Sequence, residues 1–273
     1  AEMEGTLQVL DYAIVVISGT DGAQGHTRTL WRLLQKRGIP TFLFINKMDL
    51  AGADQEAVLR QLQTTLDAGC LDFGGGLAPL QEDLASLDEG LMERYLSGGT
   101  VTAADAAQLI ARRQVFPCYF GSALKLEGVD ALLEGLAQYA LTPSYPADFA
   151  ARVFKIARDG SERLTYLKVT GGSLKVRTLL SGGEGEAGWQ EKVNQIRVYS
   201  GEKYQTIEEA EAGTVCAVTG LTHTRPGDAL GAERPGEEPV LEPVLTYRVE
   251  LPEACDAHTM LKNLRQLEEE DPQ

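Results

Sequence analysis

The chain has 273 residues, of which 43% are hydrophobic, and its formal net charge is -15. This size and apolar content are enough for two packed domains. The strong negative charge disfavours sequence-independent nucleic-acid binding through broad phosphate neutralisation. The sequence has no apolar run near the roughly 18 residues of a membrane span, and no basic-then-apolar start typical of a signal peptide. We therefore expect neither.

The first half of the sequence alternates apolar segments of strand length with amphipathic segments of helical spacing. Residues 12–17 are apolar throughout and rich in β-branched side chains, which predicts a central parallel strand buried on both faces. Further strands are predicted at 39–45 and 115–120. Helices are predicted at 26–36, 55–66, 80–96, 103–113 and 129–140, and the glycine-rich residues 69–79 predict an irregular segment. This order is typical of an α/β domain with a mostly parallel sheet.

The second half changes character near residue 150. Between residues 151 and 231, short runs with period-two alternation are separated by glycines, which predicts a closed antiparallel β-barrel. After a linker rich in Pro, Gly and Glu, residues 240–251 predict a strand and residues 256–269 a helix. Because one strand and one helix cannot bury a face alone, we expect them to open a third, incomplete domain.

The strongest chemical signal is the tetrapeptide Asn46-Lys47-Met48-Asp49, directly after a predicted strand. Ligands of open α/β sheets bind in the loops beyond the carboxyl ends of the strands. An Asp carboxylate there can accept hydrogen bonds from N1 and N2 of guanine, a donor pair that adenine lacks. A Lys stem can lie over the purine, and an Asn side chain can bridge neighbouring loops. A polar loop at a strand end is the alternative explanation of this tetrapeptide taken alone.

A second loop, Gly121-Ser122-Ala123-Leu124, follows the strand predicted at 115–120. Backbone N–H groups of such a loop can reach O6 of guanine, and the small Ser-Ala pair leaves room for that approach. Two such loops, each after a buried strand and in this order, form a far more specific constellation than either loop alone.

These loops resemble the fourth and fifth guanine-nucleotide motifs of GTPases, and their flanks resemble translational GTPases similar to elongation factor G and the tetracycline-resistance ribosomal protection proteins. The matching flanks are residues 10–18, 21–24, 227–230 and 261–272. The resemblance covers essentially the whole chain. It implies an α/β partial GTPase (P-loop-type) domain at residues 1–146, an antiparallel β-barrel at 147–238 and the start of an α+β domain at 239–273.

By this resemblance the cofactor is GTP or GDP, with Mg²⁺ in the parent protein. The residues implied in base recognition are Asn46, Lys47, Asp49, Ser122, Ala123 and Leu124. The phosphate-binding motif G-x-x-x-x-G-K-[ST] is absent from the sequence, and no Lys-Ser or Lys-Thr follows the Gly74-Gly75-Gly76 run. We therefore carry over no catalytic residue and no metal ligand. We expect a truncated piece without GTPase activity, which binds GDP more weakly than micromolar.

The four cysteines and the basic residues of the predicted barrel carry weaker signals. Cys70, Cys118, Cys216 and Cys255 are too far apart in sequence for a compact metal site or a CxxC redox pair, so we expect buried thiols of a reducing cytoplasm. Contact with ribosomal RNA phosphate is one explanation of the basic residues, and alternating exposed strand positions are another. These basic residues are Arg152, Lys155, Arg163, Lys168, Lys175 and Arg177.

The resemblance implies the ribosome, both its RNA and its proteins, and guanine nucleotide as partners, with no membrane and no DNA. Residues 50–120 are too few for the insertion that elongation factor G and peptide chain release factor three carry there. This favours the tetracycline-resistance type. The alternatives are a fragment of elongation factor G or of a release-factor-three-like GTPase, a non-enzymatic ribosome-interaction module, and an unrelated α/β protein with chance motifs.

Overall fold

The computed structural model describes residues 2–182, 188–234, 250–251 and 256–270. The chain divides into two compact units. Leu10–Thr142 form an α/β unit, and Pro143–Gln273 form a mainly β unit together with Ala1–Val9. The predicted domain limits at 146/147 and 238/239 stay predictions. All but the last two residues of the strand predicted at 240–251 lie outside the described residues.

The α/β unit is built on a four-stranded sheet in which all neighbouring strands are parallel. Its order is β1-β2-β4-β3. The strands are β1 (Ala13–Ser18), β2 (Thr41–Asn46), β3 (Cys70–Asp72) and β4 (Phe116–Phe120). Five of the six residues of β2 are buried, as expected for an inner parallel strand. The parallel sheet confirms the predicted α/β architecture.

Helices connect these strands and cover the sheet. They are α2 (Gly25–Lys36), α3 (Gln55–Thr65), α4 (Gln81–Ala85), α5 (Glu89–Leu96), α6 (Ala103–Ala111) and α7 (Val129–Tyr139), while α1 (Glu2–Leu7) belongs to the β unit. The single helix predicted at 80–96 is wrong, because Asp88 interrupts it and caps α5 by accepting a hydrogen bond from the Leu91 amide. None of the helices in the described part of the chain has both the length and the apolarity needed to cross a membrane.

Two predictions about the sheet are wrong. Strand β1 lies at the sheet edge rather than at its centre, and it is not buried on both faces: Ile14 is 46% exposed and Val16 is 62% exposed. Residues 69–79 are not irregular throughout, because Cys70–Asp72 pair in parallel with β4. A strand of three residues beside a glycine-rich loop has too short a pattern to be recognised from sequence.

The β unit has ten strands in its described part. They are β5 (Ala150–Asp159), β6 (Glu162–Gly171), β7 (Ser173–Lys175), β8 (Leu179–Gly182), β9 (Trp189–Lys192), β10 (Gln195–Ser200), β11 (Lys203–Ile207), β12 (Glu209–Glu211), β13 (Val215–Thr219) and β14 (Ala229–Gly231). Six form an antiparallel sheet of order β11-β10-β13-β6-β5-β14, and β12-β7 and β8-β9 form two ribbons.

The ribbons and the large sheet share one core. Leu174, Leu180 and Ala210 of the ribbons pack in the same buried cluster as Val153 and Leu167 of the sheet. The antiparallel β domain agrees with the prediction, and its described ladders form three sheets around that core rather than one continuous ring. The helix predicted at 256–269 is present as α8 (Ala257–Glu270).

Two strands predicted in this unit are each divided in two. The strand predicted at 173–179 breaks at Arg177, whose φ of 71° lies in the left-handed region that strands do not use. The strand predicted at 191–199 breaks at Val193 and Asn194. There the Val193 amide donates to Thr178 O at 3.0 Å and the Asn194 amide to Thr219 O at 2.9 Å, so the two residues join separate strand pairs.

The described cysteines are buried thiols, as predicted, while Cys255 lies outside the described residues. Cys70 and Cys118 lie on the neighbouring strands β3 and β4 despite their sequence separation. A hydrogen bond with Cys70, together with burial, raises the pKa of Cys118 well above its ordinary value. Burial raises the pKa of Cys216 to about 12. Cys118 and Cys216 are therefore protonated at neutral pH, which makes them poor nucleophiles.

Several basic residues of the β unit form internal bonds. Arg152 pairs with Glu233 at 2.7 Å, and the buried Lys168 donates to Val9 O at 3.0 Å. Arg163 donates to Leu221 O at 2.9 Å and to Thr224 O at 2.6 Å. These cations stabilise the unit itself, which weakens the hypothesis that they contact RNA phosphate.

Replacing Arg163 by Lys should destabilise the β unit by about 2 kcal/mol, because a single ammonium cannot replace a planar guanidinium that bonds several acceptors. Hydrogen exchange should report faster opening of β6 and of residues 221–224. Arg60→Lys is the control: Arg60 lies on the exposed surface of α3 and should change stability by no more than about 0.5 kcal/mol. Equal effects of both substitutions would contradict this assignment.

Candidate functional site

Three loops meet at the carboxyl edge of the parallel sheet, after β1, β2 and β4. The amide of Gly19, after β1, donates to Asn46 O at 2.7 Å. The amide of Met48, after β2, donates to Gly121 O at 3.0 Å, and the Gly121 amide donates to Ile45 O at 2.9 Å. The two loops predicted to carry the site are therefore in direct backbone contact, at the edge where open α/β sheets bind ligands.

The side chain of Asn46 joins the same two loops. Its Oδ1 accepts hydrogen bonds from the amides of Lys47 and Ala123, both at 2.8 Å. Only the oxygen of an Asn side chain can accept, so these two donors fix the orientation of the amide group. Nδ2 then points away from both donors and has no partner within the described part of the chain. Lys47 has a φ of 66°, an uncommon value for a non-glycine residue.

The loop after β4 is closed by a tight turn. Ser122 and Glu127 exchange two backbone hydrogen bonds, each of 3.0 Å, and Ser122 is buried. A Cβ on Gly121 would lie 2.0 Å from Glu127 O, and a Cβ on Gly128 would lie 2.2 Å from Phe120 O. The chain can approach itself this closely only because neither residue has a side chain.

Asp49 is held as an ionised carboxylate. A hydrogen bond with Ser122 lowers its pKa most, and interactions with Lys125 lower it further, against the raising effect of burial. The Lys125 ammonium lies 3.3 Å from Asp49 Oδ2. An ionised carboxylate only accepts hydrogen bonds, so at neutral pH Asp49 presents acceptors to a ligand.

The amides of the second loop differ in their availability. Ala123 donates to Asn46, Lys125 to Ser122 O and Leu126 to Ala123 O. Among the described residues the Leu124 amide has no acceptor, and Leu124 as a whole is 92% exposed. Leu124 is thus the residue of this loop whose N–H is available to a ligand.

The available groups match guanine in number and kind. Asp49 offers a hydrogen-bond acceptor, while Asn46 Nδ2 and the Leu124 amide offer donors. Guanine presents N1 and N2 donors with O6 and N7 acceptors, and adenine presents a donor at N6 where guanine has O6. The residue types therefore fit a guanine base and disfavour adenine.

Sequence reasoning missed three residues that support this site. Lys125 binds Asp49, while Glu127 and Gly128 close the turn after β4. A lysine directly after the loop Gly121-Ser122-Ala123-Leu124, and a glycine directly before a predicted helix, were the signals available for them. Their importance became visible only through contacts across the fold.

Neither the sequence nor its described residues show a phosphate-binding motif of the kind that such loops accompany. The sequence contains no G-x-x-x-x-G-K-[ST] motif. The part of the chain that the structure describes has no grouping of three or more His, Cys, Asp or Glu residues able to hold a metal ion. His26 lies exposed in the first turn of α2. The described residues thus offer groups suited to a guanine base, and we derive no step of phosphate chemistry from them.

Asn46→Ala should release both loops, because it removes the acceptor shared by two amides. We expect hydrogen exchange at the amides of Lys47 and Ala123 to accelerate about tenfold, in line with the loss of a hydrogen bond worth about 1 kcal/mol to each amide. Asn46→Asp keeps an oxygen acceptor and should retain slow exchange at both amides. Unchanged exchange in Asn46→Ala would show that other contacts hold the loops together.

Two family models match consecutive parts of the chain. The model described as elongation factor Tu GTP binding domain matches residues 1–142, and the one described as elongation factor G domain 2 matches residues 148–233. Each corresponds to a part of the fold described above, the first to the parallel sheet and the second to the antiparallel domain.

Longer relatives agree with these matches. Elongation factor G of Ureaplasma parvum serovar 3 is 27% identical over 348 residues, which cover 99% of this chain and 50% of that protein. A crystal structure of a protein from Thermus thermophilus is 26% identical with a TM-score of 0.78, and covers 99% of this chain and 49% of that one. The chain thus spans about half the length of these relatives. With its first 142 residues matched to the elongation factor Tu GTP-binding domain and the second domain of elongation factor G behind them, the chain belongs to the elongation factor G family of translational GTPases.

Proposed function

We propose that this chain recognises the guanine base of GTP or GDP within a translation factor that acts on the ribosome in the cytoplasm. The observation that carries the proposal is the Asn46 side chain, which bonds both base-recognition loops at 2.8 Å and leaves its own Nδ2 available. The proposed base-binding residues are Asn46, Lys47, Asp49, Ser122, Ala123 and Leu124.

Each of these residues has a distinct role in the proposal. The Asp49 carboxylate accepts from N1 and N2 of guanine, the Leu124 amide donates to O6 and Asn46 Nδ2 donates to N7. The aliphatic stem of Lys47 covers one face of the base. Ser122 and Ala123 support these groups, Ser122 through its hydrogen bond with Asp49 and Ala123 through Asn46. The chain's own residues thus select the base, and we assign GTP hydrolysis to none of them.

Phosphate and Mg²⁺ binding are proposed only for a protein that includes a phosphate-binding loop. When bound, Mg²⁺ neutralises charge on the phosphates. The proposed base-binding residues do not supply the phosphate contacts of such a loop.

We further propose that the parent protein is of the tetracycline-resistance ribosomal protection type. The support is the short segment between the two base-recognition loops, residues 50–120. The 348-residue alignment with an elongation factor G is longer than this 273-residue chain, consistent with additional segments in that relative. Translocation, the activity of an elongation factor G, is the alternative, because the Ureaplasma relative carries that name.

Asp49→Asn should change the base preference from guanine toward xanthine. The amide can accept from N1 and donate to O2 of xanthine, whereas toward guanine its N–H faces the N2 donor. Loss of charge-assisted hydrogen bonds predicts a change of about 100-fold in the ratio of affinities for GDP and xanthosine diphosphate. Competition between the two nucleotides on one sample measures this ratio whatever the absolute affinity.

Asp130→Asn is the matched control, since Asp130 is an exposed carboxylate on α7 outside the loops. It should leave the ratio unchanged. An unaltered ratio in Asp49→Asn would show that another group reads the base.

Ribosomal protection and translocation can be separated in cells. A bacterial strain whose elongation factor G can be depleted would express the full-length protein that contains this chain. Protection predicts growth in tetracycline while the strain's own elongation factor G is present, and no rescue when that factor is depleted. Rescue of depletion without drug tolerance would overturn ribosomal protection in favour of translocation, and failure of both would overturn both.

A further inference from the structure

Helix α2 differs from every other α-helix in the described part of the chain, because it contains no Asp or Glu. Its 12 residues include the cations Arg28, Arg32 and Lys36. Each of the other α-helices carries at least one carboxylate. In a chain of net charge -15, α2 is therefore a local reversal of charge.

The three cations lie along one exposed face of α2. They follow each other at intervals of four residues, so they lie on successive turns about 6 Å apart along the helix axis. All three residues are exposed. The opposite face carries the buried Trp31 and Leu34, and the ring of Trp31 packs edge-on against Phe116 with centroids 4.6 Å apart. This packing fixes which side chains face solvent, and we call Arg28, Arg32 and Lys36 the basic ridge.

The charge of the basic ridge is not neutralised within the described residues, where none of its three side chains forms an ion pair. The basic residues of the β unit differ in this respect, since Arg152 pairs with Glu233 and Arg163 with Glu269. Like charges one helical turn apart destabilise a helix, and the ridge contains two such pairs. A bound anion would relieve this repulsion.

We propose that the basic ridge binds the phosphate backbone of RNA. The planar guanidinium groups of Arg28 and Arg32 can each donate two parallel hydrogen bonds to phosphate oxygens, and the Lys36 ammonium adds a third positive charge. The ridge shares no residue with the base-recognition loops. The inference deepens the proposed action on the ribosome and rests on it only for the source of the RNA.

The chemistry of the exposed face favours RNA over an acidic protein or a membrane surface. The apolar side chains Trp31, Leu33 and Leu34 of α2 are buried, and no large apolar residue of α2 is exposed. Protein interfaces have an apolar centre depleted in charge, whereas nucleic-acid interfaces are more polar and strongly positive. A membrane-surface helix needs an apolar face free to enter the lipid, and that of α2 packs within the fold.

The acidic remainder of the chain restricts where RNA can bind. Phosphates are repelled by a surface of net negative charge and attracted by a local basic patch. Binding should therefore be confined to the basic ridge, and repulsion elsewhere should favour one orientation of the chain on the RNA. The few contacts also predict modest affinity with a small salt dependence compared with that of a broadly basic protein.

The direct test measures fluorescence anisotropy of a labelled RNA hairpin with the full chain over a series of salt concentrations. Three phosphate contacts predict a plot of log association constant against log salt with a slope of about -2 to -3. A glutamate-rich peptide serves as competitor and should not displace the RNA. Absence of RNA binding at low salt would overturn the proposal, and so would displacement by the peptide, which would identify an acidic protein as the occupant.

Substitutions locate the RNA on the ridge. Arg28→Gln, Arg32→Gln and Lys36→Gln together should weaken RNA binding about 100-fold, and each one alone should make the salt slope shallower by roughly 1. The triple variant should unfold at the same temperature or higher, because it loses the repulsion between neighbouring turns. A marked fall in that temperature would show that the ridge stabilises the fold, which overturns its assignment to a ligand.

The matched control changes the net charge by the same amount at scattered positions. Arg112→Gln, Lys192→Gln and Lys203→Gln remove three exposed cations from separate elements, and should weaken RNA binding by no more than about twofold. Equal weakening by both triple variants would mean a general effect of charge and would overturn the ridge. Nucleotide competition on the same samples reports base recognition separately, so failure of RNA binding is distinguishable from failure of the proposed function.

Discussion

The Asn46 side-chain oxygen accepts two backbone N–H groups from two different loops, and the rest of the proposed base-recognition site depends on this contact. Strands β2 and β4 are parallel neighbours, so their loops leave the sheet side by side. Adjacency alone does not fix the loops relative to each other. The Asn46 oxygen fixes them together with the backbone bonds from Met48 to Gly121 and from Gly121 to Ile45. One of its two bonds holds the amide of Lys47, whose backbone is left-handed. That conformation costs about 1–3 kcal/mol, which two hydrogen bonds of about 1 kcal/mol each can largely offset.

The remaining groups of the proposed site are held in place by contacts within the chain itself. Ser122 and Lys125 position the Asp49 carboxylate, and the glycines at 121 and 128 allow the backbone turn that carries Ser122. A site ordered in advance loses less conformational freedom on binding, so more of each contact contributes to affinity and selectivity. The carboxylate has two oxygens with several acceptor positions, so its contacts with Ser122 and Lys125 leave capacity for donors of a base.

The parts of this structure that could be predicted from sequence are those in which a short pattern suffices. The apolar run of β2, followed at once by a polar tetrapeptide, defines both a strand and its loop. The edge position of β1 could not be predicted, because a short apolar segment has the same sequence pattern in an edge strand as in a central strand of a sheet. The break at Arg177 depends on one backbone angle, and the contact of Lys125 with Asp49 depends on a turn formed elsewhere in the chain. Contacts across the fold decide these features, and local patterns do not contain them.

The net charge alone does not show which charged side chains are paired within the chain and which are not. A chain of net charge -15 is a poor ligand for RNA phosphate, and the basic side chains Arg152, Arg163 and Lys168 bond within the β unit. Carboxylates such as Glu89 and Glu93, by contrast, have no basic partner among the described residues. If this chain acts on a ribonucleoprotein, the physically favourable contacts of its acidic surfaces are therefore with cationic protein segments. Contact with nucleic acid would require local basic groups outside the internal pairs described above.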